Sequence, residues 1–126
     1  MRPRRLIKDK TGTAAIEFAM TSWVYVMLLM AIIEGSFALW IQAGIQHGSE
    51  MAARCASVDH NNCASTSAIQ TYAAAQSYGL NPPTSTFTVT TPTCGYRVSA
   101  SYTLTYLTHF FNPSSVTLTG SSCFPK

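Results

Sequence analysis

Few side chains in this 126-residue sequence stand where chemistry would need them. His60 and Cys63, in "HNNC", have the types of a zinc ligand pair. A zinc site takes three or four N and S ligands, however, and the sequence has neither a CxxC pair nor a second histidine close by. His47 and His109 stand alone and read as partly exposed polar residues. Tyr96, Tyr102 and Tyr106 share the parity of an alternating segment, which makes them a core face rather than a stacking platform. No nucleophile elbow, glycine-rich phosphate loop or paired-carboxylate constellation occurs. The sequence therefore predicts no enzyme, no cofactor and no metal site. What remains is the chemistry of two carboxylates in apolar surroundings, Glu17 and Glu34, and that chemistry is ion pairing. A carboxylate taken out of water needs a cation or protein donors.

The elements that must position them begin with a charge asymmetry. Five of the eight Lys and Arg residues, Arg2, Arg4, Arg5, Lys8 and Lys10, lie in the first ten positions beside one acid, Asp9. From Thr13 onward three basic residues face four acidic ones. A nucleic-acid partner is excluded on this pattern, because a DNA or RNA reader spreads its basic side chains over the surface that meets phosphate. A basic block followed by apolar residues is instead the arrangement of a membrane anchor, with the Lys and Arg excess on the cytoplasmic side. Cys55, Cys63, Cys94 and Cys123 all fall beyond the anchor, where disulfides form and persist.

From Phe18 to Ile33, "FAMTSWVYVMLLMAII", sixteen residues carry no charge. At the helical rise they cover roughly 24 Å of an apolar layer about 30 Å thick. Apolar character resumes in "GSFALWI", so the span is placed at about residues 18–41, with Trp40 at the outer headgroups. Glu34 then lies within the bilayer and faces a partner; on the alternative reading the span stops early and Glu34 is wetted at the interface. A cleaved secretory signal fits less well, because the apolar block exceeds a typical h-region of roughly 7–15 residues and no clear small-x-small cleavage site follows.

Helical patterning continues past the span. Gln42, Gln46, Glu50, Arg54 and Ser57 form a polar stripe, while Gly44, Gly48, Ala52 and Ala56 form a ridge of small residues four apart. One helix over residues 13–57 is predicted, roughly 66 Å long, about twice the hydrocarbon thickness. The ridge lets another helix approach closely, and helices of partner subunits are the expected occupants, with packing on this chain's own domain as the alternative.

Residues 58–126 are predicted to form an extracytoplasmic α+β domain. "SVDHNNC" breaks the long helix, and a short second helix follows, capped at Ser65 or Thr66 and stopped at Gly79. Tyr96, Val98, Ala100, Tyr102, Leu104 and Tyr106 then alternate with polar residues as a half-buried strand. A shorter strand at Phe87 and Val89 precedes it, and one at Val116 and Leu118 follows. Three strands make a small antiparallel meander, covered on its apolar face by the two helices. Pairing of the last two strands about a turn near 109–111 brings Cys94 to Cys123, leaving Cys55 and Cys63 to clip the corner between the helices. Four cysteines allow three pairings, and this is the preferred one.

"KTGTAAIEFAM", "AIIEGSFALW" and "EMAARCA" together resemble the TadE-like family, pseudopilins of the bacterial tight adherence (Tad/Flp) pilus machinery. The pattern is a basic leader, Gly followed by small residues and Glu-Phe-Ala, an apolar helix, an Ile-Glu pair with Gly nearby, and an Ala-rich continuation. It covers about the first 56 residues.

The resemblance implies that residues 1–12 are a prepilin-type leader cut after Gly12 by a membrane prepilin peptidase, with Thr13 as the new N-terminus. It implies that Glu17, fifth in the processed chain, pairs with the α-amine of a neighbouring subunit, and that Glu17, Phe18 and Glu34 serve assembly. Phe18 stands where the major pilins of these systems usually have Tyr, which fits a minor subunit. The implied partners are the inner membrane, other minor pseudopilins (TadF-like and TadG-like), the Flp major pilin and the Tad inner-membrane platform. The implied location is single-pass in the bacterial inner membrane, N-terminus cytoplasmic, with incorporation in the pilus left open. The alternative is an uncleaved single-span anchor whose outer domain binds an envelope ligand or scaffolds a secretion complex. Both place Glu17 at the membrane edge, where on the plainer reading it is an ordinary juxtamembrane charge.

Overall fold

The computed structural model describes residues 11–107 and 114–126. The basic residues Arg2, Arg4, Arg5, Lys8 and Lys10, and the turn near 109–111 with His109, lie outside the described residues. Two α-helices and three strands follow in order: α1 (Thr11–Val58), α2 (Thr66–Ala75), β1 (Phe87–Thr90), β2 (Tyr96–Thr105) and β3 (Ser115–Phe124). This is the α+β arrangement expected from the sequence. The chain divides into two compact units at Gly35.

The first unit is the apolar half of α1. Its large side chains are exposed on every side of the helix, Ile16, Phe18, Trp23, Tyr25, Leu28 and Ile33 among them. A helix with mean hydropathy 2.0 over its most apolar 18 residues, only 11% of which is buried, fits a membrane anchor. Two of its hydroxyls are turned back on the helix: Thr21 Oγ1 donates to Glu17 O (2.8 Å) and Ser22 Oγ to Ala19 O (3.0 Å).

The second unit runs from Ser36 to Lys126. In it α1 changes character, burying Ile41, Ile45, Ser49, Ala52, Ala53 and Ala56 at helical spacing. Asp59 ends the helix by accepting from the N–H groups of Asn61 and Asn62, both at 3.1 Å, and from Asn62 Nδ2 at 2.6 Å. The corner is closed by a disulfide between Cys55 and Cys63. Ser65 caps α2, its hydroxyl accepting from Ala68 N at 3.2 Å.

Contrary to expectation, α2 stops at Ala75 instead of Gly79. Ser77 N donates to Ala74 O in a tighter turn, Ser77 Oγ donates to Ala73 O at 2.8 Å, and Tyr78 enters the left-handed region at φ 49°. These bonds consume the last carbonyls that a longer helix would use.

The three strands form one antiparallel sheet in the order β1-β2-β3. Phe87, Val98 and Ala100 reach the core with Ile41, Ile45 and Ile69, and Val89, Tyr102, Leu104 and Leu118 pack against it. β3 returns along β2 with Cys123 opposite Arg97, and a second disulfide joins Cys94 to Cys123.

Candidate functional site

Residues 12–18 open α1, and everything the sequence singles out there is on the surface. Gly12, Thr13, Glu17 and Phe18 are exposed, Phe18 at 75%. A Cβ added at Gly12 would meet nothing within 4 Å. The Gly12–Thr13 peptide lies within α1.

Between Lys10 and Arg54 the sequence has no Lys or Arg, and Glu17 and Glu34 are the only charges from Thr11 to Gly35. An apolar helix thus presents an exposed carboxylate near its start. A cation for Glu17 has to come from the basic block, from a new N-terminus or from another molecule. Glu34 differs from it, being buried at 9% exposure.

Partner helices are the sequence expectation for the ridge at Gly44, Gly48 and Ala52; the structure fills it from within the chain. A Cβ on Gly48 would lie 2.5 Å from Ala73 O and 2.5 Å from Ser77 Oγ, and one on Gly44 would lie 3.1 Å from Ser77 O. Ala52 is fully buried. The small residues are there so that α2 can lie on α1 at backbone distance. His47 borders the same contact, its Nδ1 2.9 Å from Gln76 O and its ring stacked on Tyr78 at 4.5 Å.

Gln42 and Gln46, read from the sequence as a polar stripe, have a specific task. Gln42 Nε2 donates to Thr119 O (2.8 Å), while Gln46 gives Nε2 to Ser121 O (3.3 Å) and takes Ser121 N on Oε1 (3.2 Å). Each amide stands in for a neighbouring strand along β3. Gly120 is what admits the helix, since a Cβ there would sit 2.9 Å from Gln46 Oε1 and 3.2 Å from Gln46 Cα. Gln70 of α2 does the same for β1, donating to Phe87 O at 2.6 Å. Amides at spacing four beside a small-residue ridge were the available signal, but they look the same as solvent-facing polar residues.

His60 and Cys63 share a groove with Ser65, Thr66, Ile69 and Tyr96. Cys63 is bonded to Cys55, so the pair has no thiolate to offer a metal. Among the described residues no three His, Cys, Asp or Glu side chains gather. Tyr96 and Tyr102 pack against the core.

Residues 12–54 match the family model described as TadE-like protein. The match takes in the exposed apolar unit, both carboxylates and the small-residue ridge, and over it the chain is similar to TadE-like proteins, as "KTGTAAIEFAM" leads one to expect. No curated protein and no solved structure matches the chain. The likeness suggests a part in the Tad pilus system and a place in the cell envelope, in a family that is structural rather than enzymatic.

Proposed function

We propose, from the TadE-like match over residues 12–54, that this protein is a minor pseudopilin required for assembly of a Tad/Flp-type adhesive pilus. The observation that carries the reading is the exposed Gly12 and Glu17 at the head of a helix whose apolar side chains are unburied all round. A membrane prepilin peptidase hydrolyses the Gly12–Thr13 peptide, leaving a carboxylate on Gly12 and an ammonium on Thr13. An α-amine with an ordinary pKa near 7.7–8.0 is largely protonated at neutral pH. Sitting at the positive end of a helix, it attracts a carboxylate further. Glu17 of one subunit takes that amine from another in the inner membrane, so two charges that are costly in an apolar layer neutralise each other. The other minor pseudopilins, the major pilin and the inner-membrane platform are the partners this reading assigns.

N-terminal sequencing of protein extracted from membranes that hold an active prepilin peptidase tests it. Thr13 is the expected first residue, and Gly12→Leu abolishes the cut. Recovery of intact Met1 overturns the reading in favour of an uncleaved single-span anchor. Glu17→Ala leaves cleavage in place and removes piliation.

A further inference from the structure

Charge and apolar surface sit at opposite ends of the second unit, and its hydrogen bonds show along which axis. Gln42 bonds Thr119 and Gln46 bonds Ser121, so β3 runs beside α1 in the same direction while β2 runs back. The end at which α1 enters the unit, at Ser36, is therefore the end at which β2 finishes and β3 begins. Ser36 stands six residues before Gln42, roughly 9 Å at the helical rise, and Ser115 stands four before Thr119, roughly 13 Å at the strand rise. The hairpin thus reaches the level of Ser36 and passes it.

Every Asp, Glu, Lys and Arg of the unit lies toward the other end. Glu50, Arg54 and Asp59 follow Gln46 along α1 and its corner. Arg97 pairs with Cys123, past Ser121, and Lys126 Nζ lies 5.5 Å from the centre of the Tyr96 ring. By contrast, α1 from Ser36 to Ser49 and the chain from Val98 to Pro125 carry no such charge. Apolar surface collects where charge is missing. Of the six large apolar side chains that the described residues of the unit expose, four belong to this end: Phe37, Leu39, Trp40 and Leu107, the last at 91%. The rings of Phe37 and Trp40 lie 5.7 Å apart. Aromatic rings are at home at a membrane interface, and charges placed deeper are costly.

We infer that this end of the second unit, with Leu107, Phe37, Leu39 and Trp40, lies in the lipid headgroup layer of the bilayer from which α1 emerges. The inference rests on the reading of α1 as a membrane anchor, and continuity names the occupant: before Ser36 the same helix is the exposed apolar segment that fits a span. Depth is limited by the backbone. Among the described residues no strand pairs with β2 on its β1 side past Ala100, and lipid tails cannot satisfy free N–H and C=O groups. The hairpin end therefore stops among the headgroups, and the hydrocarbon ends before Ser36 instead of running on to residue 41. The contact needs no charged lipid, because the surface that makes it has no charge to offer.

The test uses the full chain, disulfides intact, in phosphatidylcholine vesicles whose acyl chains are either plain or brominated near the glycerol end. Tryptophan emission is read. Trp40→Phe leaves the native Trp23 to report on the anchor. In a background of Trp23→Phe with Trp40→Phe, Leu107→Trp reports on the hairpin end, and Thr90→Trp, exposed opposite Arg97, on the far end. Brominated lipid is expected to quench Trp23 and the Leu107→Trp variant at least about threefold more than the Thr90→Trp variant, and aqueous acrylamide to quench the Thr90→Trp variant at least about threefold more than either. Ser114→Trp, exposed beside the start of β3, decides the matter if Leu107→Trp fails to fold. Trp23 untouched by brominated lipid overturns the anchor, and this contact with it. Trp23 quenched by lipid while the Leu107→Trp variant stays as open to acrylamide as the Thr90→Trp variant overturns the contact alone. A Leu107→Trp variant shielded from both quenchers overturns it in favour of a protein partner at this end.

Discussion

Gly48→Ala is the sharpest perturbation of the contact that holds the second unit together. The new methyl would lie 2.5 Å from Ala73 O and 2.5 Å from Ser77 Oγ. Ser77 can rotate, but Ala73 O is backbone, so α2 has to move off α1. Overpacking of this kind costs about 1–3 kcal/mol. The buried hydroxyl of Ser77 also gives up its 2.8 Å bond to Ala73 O, about another 1 kcal/mol. Replacing glycine in a helix interior returns about 1 kcal/mol. The net is a loss of about 1–3 kcal/mol, and for a domain of this size each 1 kcal/mol lowers Tm by about 4–8 °C. Gly44→Ala is the internal control: its methyl would sit 3.1 Å from Ser77 O, a few tenths of an ångström too close, so strain and propensity nearly cancel. Thermal unfolding of both variants in detergent, non-reduced, followed by circular dichroism, makes the comparison. If Gly48→Ala unfolds at or above the wild-type temperature while losing its partner subunits, the ridge packs between chains and its assignment to α2 is wrong.

Two further outcomes follow from the outer unit. Removing the Cys94–Cys123 bridge as Cys94→Ala with Cys123→Ala opens a loop spanning 29 residues, which in the chain-entropy account lowers stability by about 3.5 kcal/mol; urea titration reads the loss, and an unchanged midpoint refutes it. Asp59 has its carboxyl held below the usual aspartate range, first by the Asn62 side-chain amide and then by the Asn62 backbone N–H. A folded value below the unfolded one contributes stability that is full above the ordinary pKa and fades as pH falls through the lowered one. Carboxyl chemical shifts should therefore place the Asp59 midpoint below 3.8, and a midpoint at or above that value contradicts the turn geometry.

Local signals with one physical solution were legible from the sequence. The two-residue alternation from Tyr96 to Tyr106 allows only a half-buried strand, and Ser65 ahead of an apolar helical run is a cap with a mechanism. The antiparallel return of β3 then carries Cys123 back to the start of β2, near Cys94. The single apolar run was likewise legible from composition, whereas Gly12, Glu17 and Phe18 were singled out through the resemblance to the TadE-like family. Features that depend on what sits opposite were not legible. A glycine ridge fits any helix, and only the fold shows that Ala73 and Ser77 fill it. Gln42 and Gln46 look solvated until β3 is laid beside them. The early stop of α2 depends on the Ser77 hydroxyl competing for Ala73 O, which propensity does not record.

Once α2 has taken the ridge, the proposed assembly through α1 has to find its specificity elsewhere on the helix. Most described side chains of the first unit are exposed, and only Met27, Ala31 and Glu34 follow one less exposed line along the helix, so little of this surface favours one neighbour. Lipid competes on equal terms for such a surface, since helix association in a bilayer lacks a hydrophobic driving force. The exposed group there that lipid cannot satisfy is the Glu17 carboxylate. Charge and hydrogen bonding can be separated at that position, because Glu17→Gln keeps the size and the polar contacts and loses only the charge. If an amine of a neighbour is the partner, Gln behaves like Ala: co-purification of the other subunits is lost although the leader is still removed. If polarity alone sets the contact, Gln restores what Ala abolishes, and the ion-pair account of Glu17 fails.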